Sequence, residues 1–248
     1  MSKLSTSLKV YILLVLALAA SNAVQILLPS YQSFLPTASL PAPLPVIALA
    51  NAGIAIVLYG GLGFIGLKLA KKLGFADIWN PKVSHRQRLL IPGIIGAALG
   101  VFIIILDIVF SRFNGIGRLQ HPPFPSSIFA SLSAGIGEEI LFRLFFISFW
   151  VWLISIVLLR GSRQNQVFWI IAMASALVFA LGHLPTLMML FNYTSVSEIS
   201  PAFFLELILL NGTVSVFAAY YMRKYGFLAA AGIHFWTDVV WHVIWGVF

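Results

Sequence analysis

Residues 89–110 read LLIPGIIGAALGVFIIILDIVF, and this stretch decides the class of the protein. Asp107 is its only charged residue. Coiled into an α-helix, an apolar run of this length crosses the hydrocarbon core of a bilayer, which is about 30 Å thick. Apolar and polar residues do not alternate along it, which excludes a strand of a membrane β-barrel. The stretch therefore predicts a transmembrane helix.

The composition of the whole chain agrees with this interpretation. Its 248 residues are 60% hydrophobic and only 9% charged, and the mean hydropathy is +1.00. A soluble fold is excluded, because soluble domains are usually about 45–50% apolar and about 25% charged. We predict an all-α fold, a polytopic membrane bundle of about seven to eight transmembrane helices. Six further apolar segments supply the other spans: Leu8–Leu28, Leu44–Ala70, Ser126–Leu159, Val167–Leu184, Ala202–Met222 and Phe227–Phe248.

Two of these segments leave a choice open. As one helix, Ser126–Leu159 would reach about 50 Å, so either its start is a separate interfacial helix or the span is strongly tilted. The first segment resembles a signal peptide in its early lysines and in the sequence Ala17-Leu18-Ala19, which is similar to a cleavage site. Its apolar run continues to Leu28 and is long enough to span, which favours an uncleaved helix.

The basic residues predict the orientation in the membrane. With the N-terminus placed inside, most of the 15 Lys and Arg side chains fall on the cytoplasmic side, as is typical of membrane proteins. We therefore expect a multi-pass protein of the cell membrane with a cytoplasmic N-terminus. No basic tract is interleaved with aromatic residues, so the net charge of +8 does not indicate nucleic-acid binding. The residues on the predicted inner side are Lys3, Lys9, Lys68, Lys71, Lys72, Lys82, Arg86, Arg88, Arg160, Arg163, Arg223 and Lys224.

Several kinds of catalytic site are excluded by residues that the chain lacks. It contains no cysteine, so disulfides, cysteine nucleophiles and thiolate metal sites are impossible. It contains no H-E-x-x-H motif, which a zincin-type metalloprotease needs. It also contains no G-x-S-x-G motif, which weakens a serine hydrolase interpretation.

Ionisable side chains inside the predicted spans point to a site. A charge at the centre of a membrane helix costs about 2.5–3.5 kcal/mol on insertion scales, so such residues usually face a cavity or pair with one another. Here they gather in three spans of the C-terminal half, which favours a functional site over a single stabilising ion pair. They are Glu138, Glu139, Arg143, His183, His234, Asp238 and His242. Two other acids look peripheral: Asp107 near a helix end, where Arg112 could pair with it, and Glu206 close to the membrane interface.

Helix geometry assigns different environments to the two adjacent glutamates. Glu139 and Arg143 are four residues apart, share a face and can pair. Glu138 points away from Arg143 and has no local partner, which suits a general base. In the last span His234, Asp238 and His242 form one polar stripe. The alternative to a functional site is that this stripe only makes polar contacts between helices. For His183, the alternative to a functional role is a structural one, in which the ring forms a hydrogen bond with a backbone carbonyl near the interface.

Three ordered motifs then resemble a known family. Glu138-Glu139-Ile-Leu-Phe-Arg143 fits E-E-x-x-x-R, Phe179-Ala-Leu-Gly-His183 fits F-x-x-x-H, and His234-Phe-Trp-Thr-Asp238 fits H-x-x-x-[N/D]. Each motif lies on its own hydrophobic helix, as in the CPBP (Abi) family. That family comprises CAAX prenyl proteases of the Rce type and bacteriocin-processing or self-immunity proteins. The resemblance covers about half the chain. We therefore expect N-terminal transmembrane helices outside the resemblance at 1–110 and a CPBP-like intramembrane protease core at 111–248.

The resemblance implies an intramembrane endopeptidase of the glutamate type, with the bilayer and a membrane-associated peptide or lipidated protein as partners. The substrate would be prenylated or carry a leader peptide. By the same resemblance, Glu138 would activate a water and His183 would help to hold it. Glu139 and Arg143 would orient that pair. His234 and Asp238 would stabilise the oxyanion of the tetrahedral intermediate.

One departure from the family pattern concerns the cofactor. Members often have Asn where this chain has Asp238, and an ionised Asp cannot donate a hydrogen bond. Either Asp238 is protonated, or it orients His234, or it belongs to a metal site. Glu138, His183 and His234 could supply three zinc ligands with water in the fourth position. No two of these share a compact helical motif, so no cofactor is favoured and zinc is the alternative.

Two other functions stay open at this point. An ion-coupled transporter would also contain buried acids and histidines, but transporters often show repeated halves, whereas the buried charges here lie only in the second half. A non-catalytic immunity or scaffold protein would share the family fold but would be free to lose Glu138. Under the predicted topology, Glu138 and His183 lie nearer outer ends and His234 nearer an inner end. Either the site lies at mid-depth or the topology is wrong.

Overall fold

A computed structural model describes residues 5–34 and 42–248, and within those ranges it contains helices and no strand. Among these described residues, seven helices are long and apolar enough to cross a membrane. The predicted all-α, polytopic membrane bundle is thus confirmed. In chain order the helices are α1 (Thr6–Leu27), α2 (Leu44–Lys72), α3 (Arg86–Phe110), α4 (Ser126–Leu158), α5 (Gln164–Leu190), α6 (Pro201–Tyr225) and α7 (Phe227–Val247).

The long fourth span is a single helix rather than an interfacial helix followed by a span. It is α-helical over Ser126–Glu138 and continues as a π-helical stretch over Glu139–Ile147. In α7 another π-helical stretch, Val239–Ile244, begins directly after Asp238. π-Helical turns inside α-helices occur frequently at functional sites. Here one such stretch begins at Glu139 and another directly after Asp238, two of the ionisable residues that the sequence singled out.

Helix ends follow from the residues at the caps. The Ser5 hydroxyl accepts a hydrogen bond from the backbone N–H of Leu8 at the start of α1. The Ser200 hydroxyl accepts one from Phe203 at the start of α6, with Pro201 in the first turn. Gly226, at φ +93°, joins α6 to α7 and lies against the backbone carbonyl of Asp77. A left-handed φ and this close approach both favour glycine.

Close helix contacts set the position of the polar residues. A Cβ added to Gly135 of α4 would lie 3.0–3.1 Å from Phe235 of α7, in part from its backbone. Gly96 of α3 lies against the backbone of Ile233, and the Thr237 hydroxyl donates to the Gly96 carbonyl over 3.0 Å. Small residues at such contacts let membrane helices approach closely. Gly135, three residues before Glu138, thus lets α4 approach α7 closely.

The outward surface of the bundle is apolar. Leu49 is 75% exposed, Val57 is 77% exposed and Ile170 is 66% exposed. Such a surface is stable against lipid and would be unusual in water. The chain is therefore a multi-pass membrane protein.

Two sequence expectations stay predictions. Lys3, which contributed to the predicted orientation, lies outside the described residues, and the cytoplasmic placement of the N-terminus rests on sequence alone. The division at residue 110 also stays a prediction. Helix α1 packs on α4, and α3 packs on α7.

Candidate active site

A cavity of about 210 Å³ lies within the helix bundle. Five of the ionisable residues that the sequence placed in spans line it together, although they come from three different helices. The site is therefore shared by α4, α5 and α7. The polar lining comprises Glu138, His183, His234, Asp238 and His242, together with Gln120 and Asn211.

His234 is the centre of the polar network. Its Nδ1 lies 2.8 Å from Glu139 Oε1, so the ring donates a hydrogen bond to this carboxylate. On its other side, Nε2 lies 3.7 Å from Glu138 Oε2 and 3.6 Å from Asp238 Oδ2. Three carboxyl groups thus surround one imidazole ring, an arrangement that suits a positively charged ring.

Glu139 and Arg143 form the buried ion pair that their spacing predicts. Arg143 Nε lies 3.3 Å from Glu139 Oε2, and both side chains are fully buried. The guanidinium also lies over the Phe179 ring, 4.3 Å from its centroid, and this ring packs edge-on against His234 at 5.7 Å. Arg143, Phe179 and Glu139 together hold His234 in one orientation.

Glu138 is the least constrained of the acidic groups here. Its side chain is 33% exposed and lines the cavity. Oε2 has no hydrogen-bond partner among the described residues. This oxygen is itself buried beside His234 Nε2, and it is the exposed part of the side chain that a molecule in the cavity can contact.

His183 lies where α5 is interrupted, between Gly182 and Leu184. Its Nδ1 lies 2.9 Å from the Phe179 carbonyl oxygen and donates to it, which leaves Nε2 with a free lone pair. The ring also lines the cavity. The interpretation that a backbone carbonyl bonds the ring is confirmed, and the same bond fixes the tautomer that exposes a basic nitrogen.

Asp238 lies on the Nε2 side of His234, one helical turn further along α7. Its side chain is 14% exposed. The Nδ1 side, from which a carboxylate usually orients a histidine, is occupied by Glu139 instead.

Gln120 and Asn211 of the cavity lining, and His121 between the lining residues Gln120 and Pro122, were not singled out from the sequence. His121 Nδ1 lies 3.0 Å from His242 Nδ1, so His242 faces a second histidine rather than the lipid interface. Burial lowers the pKa of His121 to about 4. Asn211 donates to the Leu207 carbonyl, which leaves its second N–H to the cavity. A lone amide in an apolar span was a signal for Asn211, whereas His121 lies in a loop that showed none.

The positions of Asp107 and Glu206 differ from the sequence expectation. Both side chains are completely buried. Asp107 Oδ1 accepts the backbone N–H of Leu119 over 3.0 Å, and no ion pair with Arg112 is present among the described residues. Glu206 Oε2 accepts from Asn114 over 2.9 Å. The loop after α3 folds back over both carboxyl groups, which sequence periodicity cannot indicate.

The zinc alternative can be compared with the donor geometry. In the described part of the chain, no three His, Asp or Glu side chains form a group that could hold a metal ion. Glu138, His183 and His234 thus do not form a zinc ligand set as arranged, and we assign no metal ligands among them.

Fold and site together define the class of the protein: a multi-pass membrane protein with a polar, acid-rich cavity enclosed by its helices. Residues 120–240, just under half of the chain, match the family described as Rce1-like, type II CAAX prenyl endopeptidase Rce1-like. These residues include all three motifs, so the resemblance that the motifs indicate, to a family of peptidases, is confirmed over this part of the chain. Comparison with curated proteins and with solved structures gave no significant match.

Proposed function

We propose that this chain is an intramembrane endopeptidase that hydrolyses a peptide bond of a membrane-associated substrate with a water activated by Glu138 and His183. One observation carries the proposal. Glu138, His183, His234 and Asp238 line a single cavity enclosed by membrane-spanning helices. Desolvated ionisable groups that converge in this way are costly unless they work together.

Glu138 is the general base. Its carboxylate, part of a side chain that is exposed to the cavity, accepts a proton from the water, and the lone pair on His183 Nε2 accepts the second hydrogen bond of that water. The water oxygen then attacks the carbonyl carbon of the scissile peptide. A tetrahedral intermediate with a negatively charged oxygen results, and Glu138 next delivers its proton to the leaving amine.

His234 stabilises the oxyanion. Glu139 holds its Nδ1, so Nε2 is directed towards the part of the cavity between Glu138 and Asp238. A protonated Nε2 donates a hydrogen bond to the oxyanion and supplies a positive charge. Removal of one such donor typically lowers the rate about 10²–10³-fold. Arg143 acts indirectly, because it holds the Glu139 carboxylate in place.

The substrate class follows from the setting of the cavity. A polypeptide that reaches it must be held at a membrane, because the enclosing helices present an apolar surface outward. The family match favours a lipid-modified C-terminal segment, and a membrane-bound leader peptide is the alternative.

The test is a comparison of protein termini in membranes of cells that carry either the wild type or the Glu138→Gln variant. Defined new N- or C-termini should be present with the wild type and absent with the variant. The lost termini identify the substrate and distinguish a prenylated C-terminal segment from a leader peptide. Glu198→Gln is the matched control, because Glu198 is an exposed loop residue bonded to Thr194.

Identical termini in all three samples, under conditions that induce the protein, would contradict the proposal. If the Glu138→Gln variant then protected cells against a bacteriocin as well as the wild type does, an immunity or scaffold protein would be favoured. Solute uptake into proteoliposomes that depends on Glu138 would favour a transporter.

A further inference from the structure

The two ends of the helix bundle differ in charge. At one end, called the basic end below, α2, α4 and α6 finish and the other four helices begin. Hydrogen bonds join these termini: Gln164 Nε2 donates to the Leu73 carbonyl over 2.7 Å, and Ala76 N donates to the Arg223 carbonyl over 3.1 Å. Most of the described Lys and Arg residues lie at or close to this end, and they are Lys9, Lys68, Lys71, Lys72, Lys82, Arg86, Arg88, Arg160, Arg163, Arg223 and Lys224.

The opposite end carries few positive charges. The loop 111–125 between α3 and α4 lies there and is bonded to two other helices. Its Asn114 carbonyl accepts from the Ser200 hydroxyl at the start of α6 over 2.6 Å, and its His121 Nδ1 lies 3.0 Å from His242 Nδ1 near the end of α7. The described Lys and Arg residues at this end are Arg112 and Arg118.

The cavity meets the surface at this opposite end. Leu119, Gln120 and Pro122 of the loop line it, together with Phe203 in the first turn of α6 and His242 of α7. Gln120 alone among the lining residues is exposed. In the described part of the chain, no lining residue belongs to the loops of the basic end. Gln120 therefore marks the mouth of the cavity.

Glu138 and His234 lie at similar depths below this mouth. Helix α4 is α-helical over the 13 residues Ser126–Glu138, which places Glu138 about 18 Å from the start of the helix at the mouth end. His234 lies about 20 Å from the end of α7 at Val247. Both depths lie near the middle of a bilayer core about 30 Å thick. The different positions of these residues along their helices are thus consistent with one site at mid-depth.

We propose that the cavity opens to the non-cytoplasmic side of the membrane, so that the peptide segment to be cleaved reaches the site from there. Positive residues next to membrane spans are retained in the cytoplasm, where anionic lipids of the inner leaflet attract them. The basic end is therefore the cytoplasmic end, and Gln120 lies on the other side. The entry side follows from this charge asymmetry and the position of the mouth, and it does not depend on catalysis.

The entry side narrows the substrate class, a step that rests on the proposed function. A segment that reaches Glu138 through this mouth must emerge from the membrane on the non-cytoplasmic side. A membrane-anchored peptide that is exported with its leader meets this condition. A protein whose lipid-modified C-terminal segment stays in the cytoplasm does not, so the mouth favours the leader-peptide class of the two considered above.

Cysteine labelling measures the entry side, because the chain itself has no cysteine. Single cysteines replace Gln120 at the mouth, Ser197 in the exposed loop before α6, and Ser162 in the exposed loop of the basic end. A charged, membrane-impermeant maleimide is added to intact bacterial spheroplasts that express the full chain. Gln120→Cys and Ser197→Cys should be labelled there, whereas Ser162→Cys should need permeabilisation. Labelling in detergent gives the full reactivity of each variant.

A second pair of cysteines tests whether the mouth leads into the cavity. Asn211 and Leu209 lie close together on α6, but Asn211 lines the cavity whereas Leu209 is exposed on the outward apolar surface. A small charged thiosulfonate reacts with thiolates, which form in a polar cavity far more readily than in lipid. In intact spheroplasts Asn211→Cys should therefore react about tenfold faster than Leu209→Cys, or more.

Two results would overturn the proposal. Labelling of Ser162→Cys in intact spheroplasts, with Gln120→Cys labelled only after permeabilisation, would place the mouth in the cytoplasm. Equal reaction of Asn211→Cys and Leu209→Cys would mean that the cavity is not reached from the non-cytoplasmic side.

Cleavage separates the entry side from the proposed hydrolysis. Maleimide attached to Gln120→Cys should abolish the Glu138-dependent termini, and maleimide attached to Ser197→Cys should leave them unchanged. If the cysteines react as expected while no terminus depends on Glu138, the hydrolysis fails and the entry side stands. If termini depend on Glu138 while the mouth is cytoplasmic, the entry side fails and the hydrolysis stands.

Discussion

His234 of α7 donates a hydrogen bond from Nδ1 to Oε1 of Glu139 on α4 across 2.8 Å. The other oxygen of the same carboxylate lies 3.3 Å from Arg143 Nε. Both oxygens of Glu139 are therefore engaged. Its neighbour Glu138 has a side chain that is 33% exposed and lines the cavity, and its buried Oε2 has no hydrogen-bond partner among the described residues. The distinction between adjacent glutamates is thus geometric: one orients a histidine, and the other is available to a substrate or a water.

The Glu139–Arg143 pair should behave as a unit in stability measurements. Glu139→Ala leaves the Arg143 guanidinium buried without its counter-ion, a change that typically costs about 3–5 kcal/mol. The double variant Glu139→Gln with Arg143→Met removes both charges and should be less destabilised than Glu139→Ala. Denaturant unfolding in detergent micelles measures the free energy of unfolding of both variants. Activity should be lost in each, because His234 loses its orienting carboxylate.

Glu198→Ala is the control for this prediction, since it removes an acid that is exposed on a loop. Its unfolding free energy should change by no more than about 0.5 kcal/mol. Additive effects of the Glu139 and Arg143 substitutions would show that the two residues do not interact energetically.

The contact at Gly135 should set the spacing between α4 and α7. In Gly135→Ala, the new Cβ would lie 3.0–3.1 Å from Phe235, the neighbour of His234. The helices must then separate slightly, which lengthens the Glu139–His234 bond. We expect a loss of activity of at least tenfold and a destabilisation of about 1–3 kcal/mol. Peptide cleavage and thermal unfolding in the same detergent provide both values.

A second glycine gives the matched comparison. A Cβ at Gly61 of α2 would have no neighbour within 4 Å. Gly61→Ala should stabilise the helix by about 0.5–1 kcal/mol and leave cleavage unchanged. Equal behaviour of the two variants would mean that helix spacing at Gly135 does not control the site.

The sequence was sufficient for the fold and for much of the site. All seven spans lie where apolar runs predicted them, because lipid requires each crossing to bond its backbone internally. The Glu139–Arg143 pair follows from helix periodicity. The bond between Glu139 and His234 does not, because it depends on how two distant helices pack at Gly135. Periodicity orients a side chain on its own helix only.

Loop residues show a second limit of prediction from the sequence. His121, Asn114 and Leu119 lie between α3 and α4, where no repeat indicates direction. Asp107 and Glu206 looked peripheral because each lies near a helix end. Their burial results from the loop folding back over them, and only three-dimensional structure shows that.

Asp238 offers a test of the departure from the family pattern. Asp238→Asn places an amide donor one turn from His234, and Asn can donate to an oxyanion whereas ionised Asp cannot. We expect kcat/KM within about tenfold of the wild type for this variant. Asp238→Leu removes the polar group at similar size and should lose about 10²–10³-fold. If Asp238→Asn is as inactive as Asp238→Leu, the negative charge beside His234 Nε2 is itself required.

His121 should make stability depend on pH below neutrality. Burial lowers its pKa to about 4 in the folded protein, against about 6.5 in the unfolded chain. Between these values the unfolded state binds the additional proton, so stability should fall as the pH drops from about 6.5 to about 4 and then level off. His121→Asn, which keeps a polar group near the position of Nδ1, should flatten that dependence. Melting temperatures in a non-ionic detergent between pH 4 and pH 7.5 measure it, with His85→Asn in an exposed loop as the control. An unchanged slope in His121→Asn would assign the effect to another group.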